Sequence, residues 1–159
     1  MPPITTTVRL DTSERGLTLT EVLIAIGIIG ILSAIVLPLY GESLYRSKVT
    51  QAMADVHNIA GKLKVWEIFN RGLPDSLAQA GINDAFDPWG RPYQYLKIEG
   101  TKGKGAVRKD HKLNPINSDF DLYSMGRDGE TQTQISNKDS LDDIIRANNG
   151  GFVGLASDF

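Results

Sequence analysis

The apolar positions of this 159-residue chain fall into two patterns. The first is continuous. Residues 17–40 read LTLTEVLIAIGIIGILSAIVLPLY, and from Val22 to Gly41 no residue is charged. A helix rises 1.5 Å per residue, so a run of about 20 apolar residues crosses a hydrocarbon core. The second pattern is periodic. Val49, Ala52, Met53, Val56, Ile59, Ala60, Leu63 and Trp66 recur at i, i+3, i+4, with Arg46, Lys48, Gln51, Asp55, Asn58 and Lys62 on the other face. That spacing predicts an amphipathic helix over residues 42–69, packed on a sheet. Asn70-Arg71-Gly72-Leu73-Pro74 ends it with turn residues. DSLAQAG, residues 75–81, suits a short helical turn, and Asp-Pro and Trp-Gly-Arg-Pro at 87–92 are turn chemistry. Tyr93, Tyr95, Leu96 and Ile98 read as a strand, and residues 119–125 (DFDLYSM) alternate as a second, able to pair antiparallel with the first. The expected class is α+β: a long N-terminal helix, apolar then amphipathic, packed on a small antiparallel sheet with a C-terminal loop. Phe152, Val153 and Leu155 suggest that the tail, 146–159, docks back on the domain.

Composition narrows the chemistry. The net charge of −2 does not point to nucleic acid as the main partner. With no cysteine, disulfides, thiolate metal sites and cysteine nucleophiles are excluded. His57 reads as a surface residue of the amphipathic helix, and His111 lies far from it, so neither HExxH nor HxxxH is present. His111 beside Asp110 reads as solvated, and no nucleophile–base arrangement supports an enzyme. Between the strands lies a connection with Lys97, Lys102, Lys104, Arg108, Lys109 and Lys112 against Glu99 and Asp110. It reads as a solvated excursion or as a patch for an acidic partner. GTKGKG lacks P-loop spacing. Downstream, Asp119, Asp121, Asp128, Glu130, Asp139, Asp142 and Asp143 crowd one stretch. Such a set suits a hard cation with oxygen ligands, although the EF-hand register is missing. It equally suits a solvated loop in which Asp142 caps a short helix over 143–148.

The apolar block contains one residue that a simple anchor does not need. Glu21 stands within it, and an ionised carboxylate in hydrocarbon costs about 2.5–3.5 kcal/mol or more. A secretory signal peptide fits worse still, because the run is too long and no small-residue cleavage site follows it. Glu21 therefore calls for a partner.

Residues 15–21, RGLTLTE, and the uncharged run after them resemble the processing signal of type IV pilins and type II secretion pseudopilins. The resemblance implies a type IV pilin-like fold. It implies a leader, 1–16, that a prepilin peptidase removes after Gly16, and methylation of the new amino group on Leu17. It also implies a membrane-spanning, later filament-core, helix over 17–40 and a periplasmic globular domain over 41–159. Pro38 matches the proline that the family carries in this helix, where it is expected to kink or melt the helix locally. Leu17 stands where phenylalanine is commonest, and Asp11 and Glu14 balance Arg9 and Arg15, so the leader lacks net positive charge. In a filament, Glu21 of one subunit can pair with the Leu17 amine of a neighbour and set the axial register, since two charges leave water tolerably only when paired. Gly27 and Gly30 permit close helix approach.

Two further segments resemble the major, G-type pseudopilin: DPWGRPYQY (87–95) and DLYSMGRDG (121–129), followed by the Asp143-Ile144 pair. In that family the second segment opens a calcium-binding loop. The resemblance implies calcium ligands at Asp128, Asp142 and Asp143, with backbone carbonyls of Leu122 and Ser124 as further candidates. The loop between, TQTQISNKDSL, departs from the family's glycine-rich run. The implied function is structural: a homo-oligomeric subunit of a periplasmic pseudopilus that drives protein export by a type II secretion system. Minor pseudopilins, an inner-membrane assembly platform and the prepilin peptidase would be its partners, and the bacterial inner membrane would hold it, single-pass, before assembly. The alternatives are a type IV pilus subunit for adhesion, motility or DNA uptake and, more remotely, a membrane-anchored enzyme.

Overall fold

The computed structural model describes residues 16–99 and 105–159. The leader positions 1–15, and Lys102 and Lys104 of the basic connection, lie outside the described residues. Helix α1 runs from Leu19 to Asn70, and strands β1 (Gln94–Lys97), β2 (Phe120–Ser124), β3 (Ile144–Ala147) and β4 (Phe152–Leu155) follow. The apolar run and the amphipathic stripe are thus consecutive parts of one 52-residue helix. Pro38 lies inside it, and the helix is not interrupted there, so the local melting expected at this residue does not occur. Proline removes one amide donor, and the bonds on either side suffice to carry the helix through.

The chain divides into two compact units, Met1–Gly41 and Glu42–Phe159. In the first, the large apolar side chains from Leu17 to Tyr40 are exposed. α1 is long and apolar enough to cross a membrane, with a mean hydropathy of 2.8 over its most apolar window.

In the second unit, Ala52, Val56, Ile59 and Leu63 of α1 are buried against Leu73, Ile82, Tyr93, Phe120, Leu122 and Ile144. These are the predicted stripe positions, with Val49, Met53 and Ala60 at the margin. Trp66, the last of the stripe, is only half-buried and stands outside this cluster. Each fully buried Leu or Ile contributes about 1.5–3 kcal/mol. The phenol of Tyr93 donates to Asp55 on α1 at 3.1 Å, and that of Tyr95 to the Pro74 carbonyl at 2.7 Å.

The strands form one antiparallel sheet in the order β1-β2-β3-β4. The predicted pairing of the first two strands is present, with Tyr95 opposite Leu122 and Lys97 opposite Phe120. β3 is a strand where a short helix over 143–148 was the alternative. Its two β-branched isoleucines face opposite sides, Ile144 into the helix-facing cluster and Ile145 into a second cluster with Ile116, Ile135, Ala147 and Ala156. The tail docks back as β4, with Phe152 packed on this second cluster and Val153 and Leu155 on the first. Residues 77–82 form consecutive hydrogen-bonded turns rather than a helix, closed by Gly81 at φ 72°.

The second cluster changes the reading of the basic connection. Val107, Arg108 and Ile116 are buried, so this part is not a solvated excursion. Lys109 donates its backbone N–H to Thr133 and accepts from Ile135, and Ile116 donates to the Arg108 carbonyl. Residues 107–116 and the loop after β2 together cover the face of the sheet opposite the helix.

Candidate functional site

Two regions carry the residues singled out in the sequence. At the N-terminus, Gly16 and Leu17 precede the helix and are exposed. Thr18 occupies the N-cap, and Glu21 is three residues on, in the first turn. Glu21 Oε2 accepts from the Thr18 backbone N–H and hydroxyl, both at 2.8 Å, and Thr18 Oγ1 accepts from the Glu21 N–H at 3.2 Å. This is a capping box, which satisfies two of the free amides at a helix start reciprocally. The carboxylate also lies at the positive end of the helix dipole. Thr18 was missed in the sequence, although its T-x-x-E spacing was the available signal. The peptide bond between Gly16 and Leu17 lies outside the helix, in the irregular backbone that a peptidase can enter.

The second region joins the two downstream motifs. Residues 87–90 form a turn in which Gly90 donates to the Asp87 carbonyl at 2.8 Å. The buried carboxylate of Asp87 accepts from the N–H groups of Trp89 and Arg91 through Oδ1, at 3.0 and 2.9 Å. Its Oδ2 accepts from the Ser124 hydroxyl of β2 at 2.6 Å. Arg91 then donates to the carbonyls of Gly126 and Arg127, at 2.7 and 3.2 Å. Asp142 Oδ2 accepts from the N–H groups of Arg127 and Asp128, at 2.6 and 3.1 Å. DPWGRPY and DLYSMGRDG are therefore one hydrogen-bonded unit, closed by Asp142. At Gly126 and Gly129 close neighbours add to the left-handed backbone angle. Gly126 (φ 63°) has no room for a Cβ beside the Asp142 carbonyl, and a Cβ on Gly129 (φ 78°) would strike the Arg91 guanidinium.

Three ion pairs, centred on Asp119 and Asp143, back this unit. Arg146 of β3, 2% exposed, donates to both oxygens of Asp119, at 2.9 and 2.8 Å, and to the Phe120 carbonyl at 3.1 Å. Lys64 of α1 reaches the same carboxylate at 2.9 Å. Burial by itself would raise the Asp119 carboxyl, but the hydrogen bonds from Arg146 and Lys64 outweigh it and hold the group at about 2. On the opposite face, Arg108 Nη2 meets Asp143 Oδ2 at 2.5 Å, with both side chains buried. Thr131 Oγ1 donates to the same oxygen at 2.6 Å and accepts from Arg108 Nη1 at 2.7 Å. Burial pushes the Asp143 carboxyl up to about 6 against the opposing charge of Arg108. Asp121 is buried nearby and accepts from the Arg108 N–H at 2.7 Å and from Asn117 Nδ2 at 3.0 Å.

The expected calcium ligands are thus brought near one another but are already engaged. Asp143 faces a guanidinium, Asp142 Oδ2 takes two loop amides, and exposed Asp128 accepts from the Glu130 N–H at 2.8 Å. Leu122 and Ser124 are buried inside β2, between β1 and β3. Calcium takes about six to eight oxygen ligands. Among the described residues, no three Asp, Glu or His side chains converge in a way that would hold a metal ion. A divalent cation on Asp143 would also meet the positive charge of Arg108. The residues present do not fit a resident calcium ion. Arg108 escaped notice in the sequence because 35 positions separate it from Asp143 and it sits in a run of solvent-type charges.

A family model described as the prokaryotic N-terminal methylation motif matches residues 11–37, which include Gly16, Leu17 and Glu21. Type II secretion system core protein G of Pseudomonas aeruginosa is 32% identical over 140 residues, covering 74% of this chain and 86% of that protein. Its counterpart in Aeromonas hydrophila is 28% identical over 141 residues, covering 76% and 87%. Fimbrial protein Q of Moraxella bovis is 36% identical over 130 residues, covering 82% and 74%. No solved structure matches the chain.

Proposed function

The chain belongs to the type IV pilin and pseudopilin superfamily, and from that premise we propose that it is the major subunit of a periplasmic pseudopilus serving type II protein secretion. Its role is structural rather than catalytic. The observation that carries the choice of branch is the bonded unit of residues 87–91, 124–129 and Asp142. Both segments that resemble the G-type pseudopilin lie in it, far from the N-terminal signal that all branches share.

The proposed sequence of events starts with α1 in the inner membrane as a single span and the unit Glu42–Phe159 on the periplasmic side. The peptidase cuts after Gly16 and methylates the Leu17 amine. Glu21, held at the helix start by Thr18, then offers its carboxylate to the new amine of an adjacent subunit. The exposed apolar side chains between Leu17 and Tyr40 exchange lipid for neighbouring helices as the filament grows on its assembly platform, with minor pseudopilins as further partners.

Deletion of the gene in its host distinguishes the branches. Loss of exported proteins from the medium, with surface fibres and twitching intact, is the expected result. Loss of fibres or of DNA uptake with export unchanged would transfer the chain to the pilus reading.

A further inference from the structure

We propose that Arg108 is a built-in cation that closes the C-terminal loop, so that this domain needs no divalent ion to hold it. The guanidinium sits in a built pocket. It is 3% exposed, stacks on the Tyr123 ring at 4.0 Å from its centroid, and bonds Asp143 and Thr131 at 2.5 and 2.7 Å. Its own backbone N–H is fixed by Asp121 at 2.7 Å. The one residue therefore ties together the connection before β2, the β2 strand, the loop after it and the residue that leads into β3.

The last three are the segments that a calcium ion in an acidic loop would link. A guanidinium supplies the positive charge permanently, with donors in a planar fork suited to carboxylates. The chemistry differs in one respect that can be measured. A divalent ion binds by mass action and stabilises only when its concentration exceeds its dissociation constant. Arg108 is part of the chain, so its link is present at any calcium concentration. The one oxygen of the pair left without a hydrogen bond, Asp143 Oδ1, is buried and single, and a single oxygen does not make a calcium site.

The test is thermal unfolding of the full chain in non-ionic detergent, with excess calcium chloride and with excess chelator. The expected melting temperatures agree within about 1 °C. A site occupied at a hundredfold its dissociation constant would separate them by at least ~5 °C, and that result would overturn the proposal. A second arm reads the pair itself. Arg108→Gln is expected to melt well below the parent in either solution, and adding Asp143→Asn in that background recovers part of the loss, because the stranded carboxylate is then neutral. Strictly additive losses from the two substitutions would also overturn it. Should Arg108→Gln fail to fold, the comparison of the unaltered chain with and without calcium still decides.

Discussion

Asp119→Asn changes one oxygen to an amide at the point where α1, β2 and β3 are tied together. Asp119 receives both arms of Arg146 and the Lys64 ammonium, and Arg146 is almost fully buried over the Phe120 ring, 4.0 Å from its centroid. The carboxyl titrates at about 2 in the folded chain against 3.8 for the free group. At about 1.4 kcal/mol per pH unit, that displacement is worth about 2.5 kcal/mol. Breaking a buried pair from one side costs about 3–5 kcal/mol, because the remaining charge has lost its counter-ion. The asparagine keeps one acceptor for Arg146, so a loss of about 2–4 kcal/mol at neutral pH is expected. The sign of the pH dependence follows from the lowered value. The contribution is fully present above pH 3.8 and is lost as the pH falls through that value towards 2. Denaturant unfolding of the full chain in non-ionic detergent, at steps between pH 6 and pH 2, measures it. The parent should lose about 2 kcal/mol more than the variant across that window, because half of the folded carboxyls are still ionised at pH 2. Parallel stability curves for parent and variant would refute the account of this ion pair.

Four other substitutions probe the remaining elements. Gly126→Ala should destabilise the domain by about 1–3 kcal/mol, because it demands both a left-handed alanine and movement of Asp142; an unchanged denaturation midpoint would contradict the close approach. Leu63→Ala opens the fully buried helix–sheet core and should cost about 2–5 kcal/mol in the same unfolding assay. Glu21→Ala is expected to leave the precursor inserted and cleavable while filament growth fails. Thr18→Val removes only the cap, about 0.5–2 kcal/mol of helix stability, and should fray the first turn in hydrogen exchange with milder loss of filaments. Normal filaments from Glu21→Ala, seen by electron microscopy of sheared cells, would remove the register role.

The elements of this chain were legible along the sequence wherever one local pattern decided them. An uncharged run, a helical stripe and two alternating segments predicted α1, β1 and β2, because burial on one side of a regular element imposes its period on the residues. The order glycine, leucine, glutamate was likewise readable, since the N-terminal methylation motif is contiguous. At Pro38 the helix does not melt, because one missing donor is too small a loss to interrupt a helix of 52 residues. In the acidic loop the partners that matter are distant in sequence. Seven carboxylates in one stretch suggested a cation, and the stretch does contain cationic partners, but they arrive from elsewhere in the chain. Arg108 reaches Asp143 across 35 positions, and Arg146 reaches Asp119 across 27. Arg91 reaches Gly126 across 35. Side-chain type and spacing report what an element buries, whereas which charge meets which is settled only when the sheet brings distant turns together. Sequence therefore determined that this chain is pilin-like, with an N-terminal apolar helix and a helix-on-sheet domain. Tertiary structure decided that its acidic loop is held by the chain's own arginines.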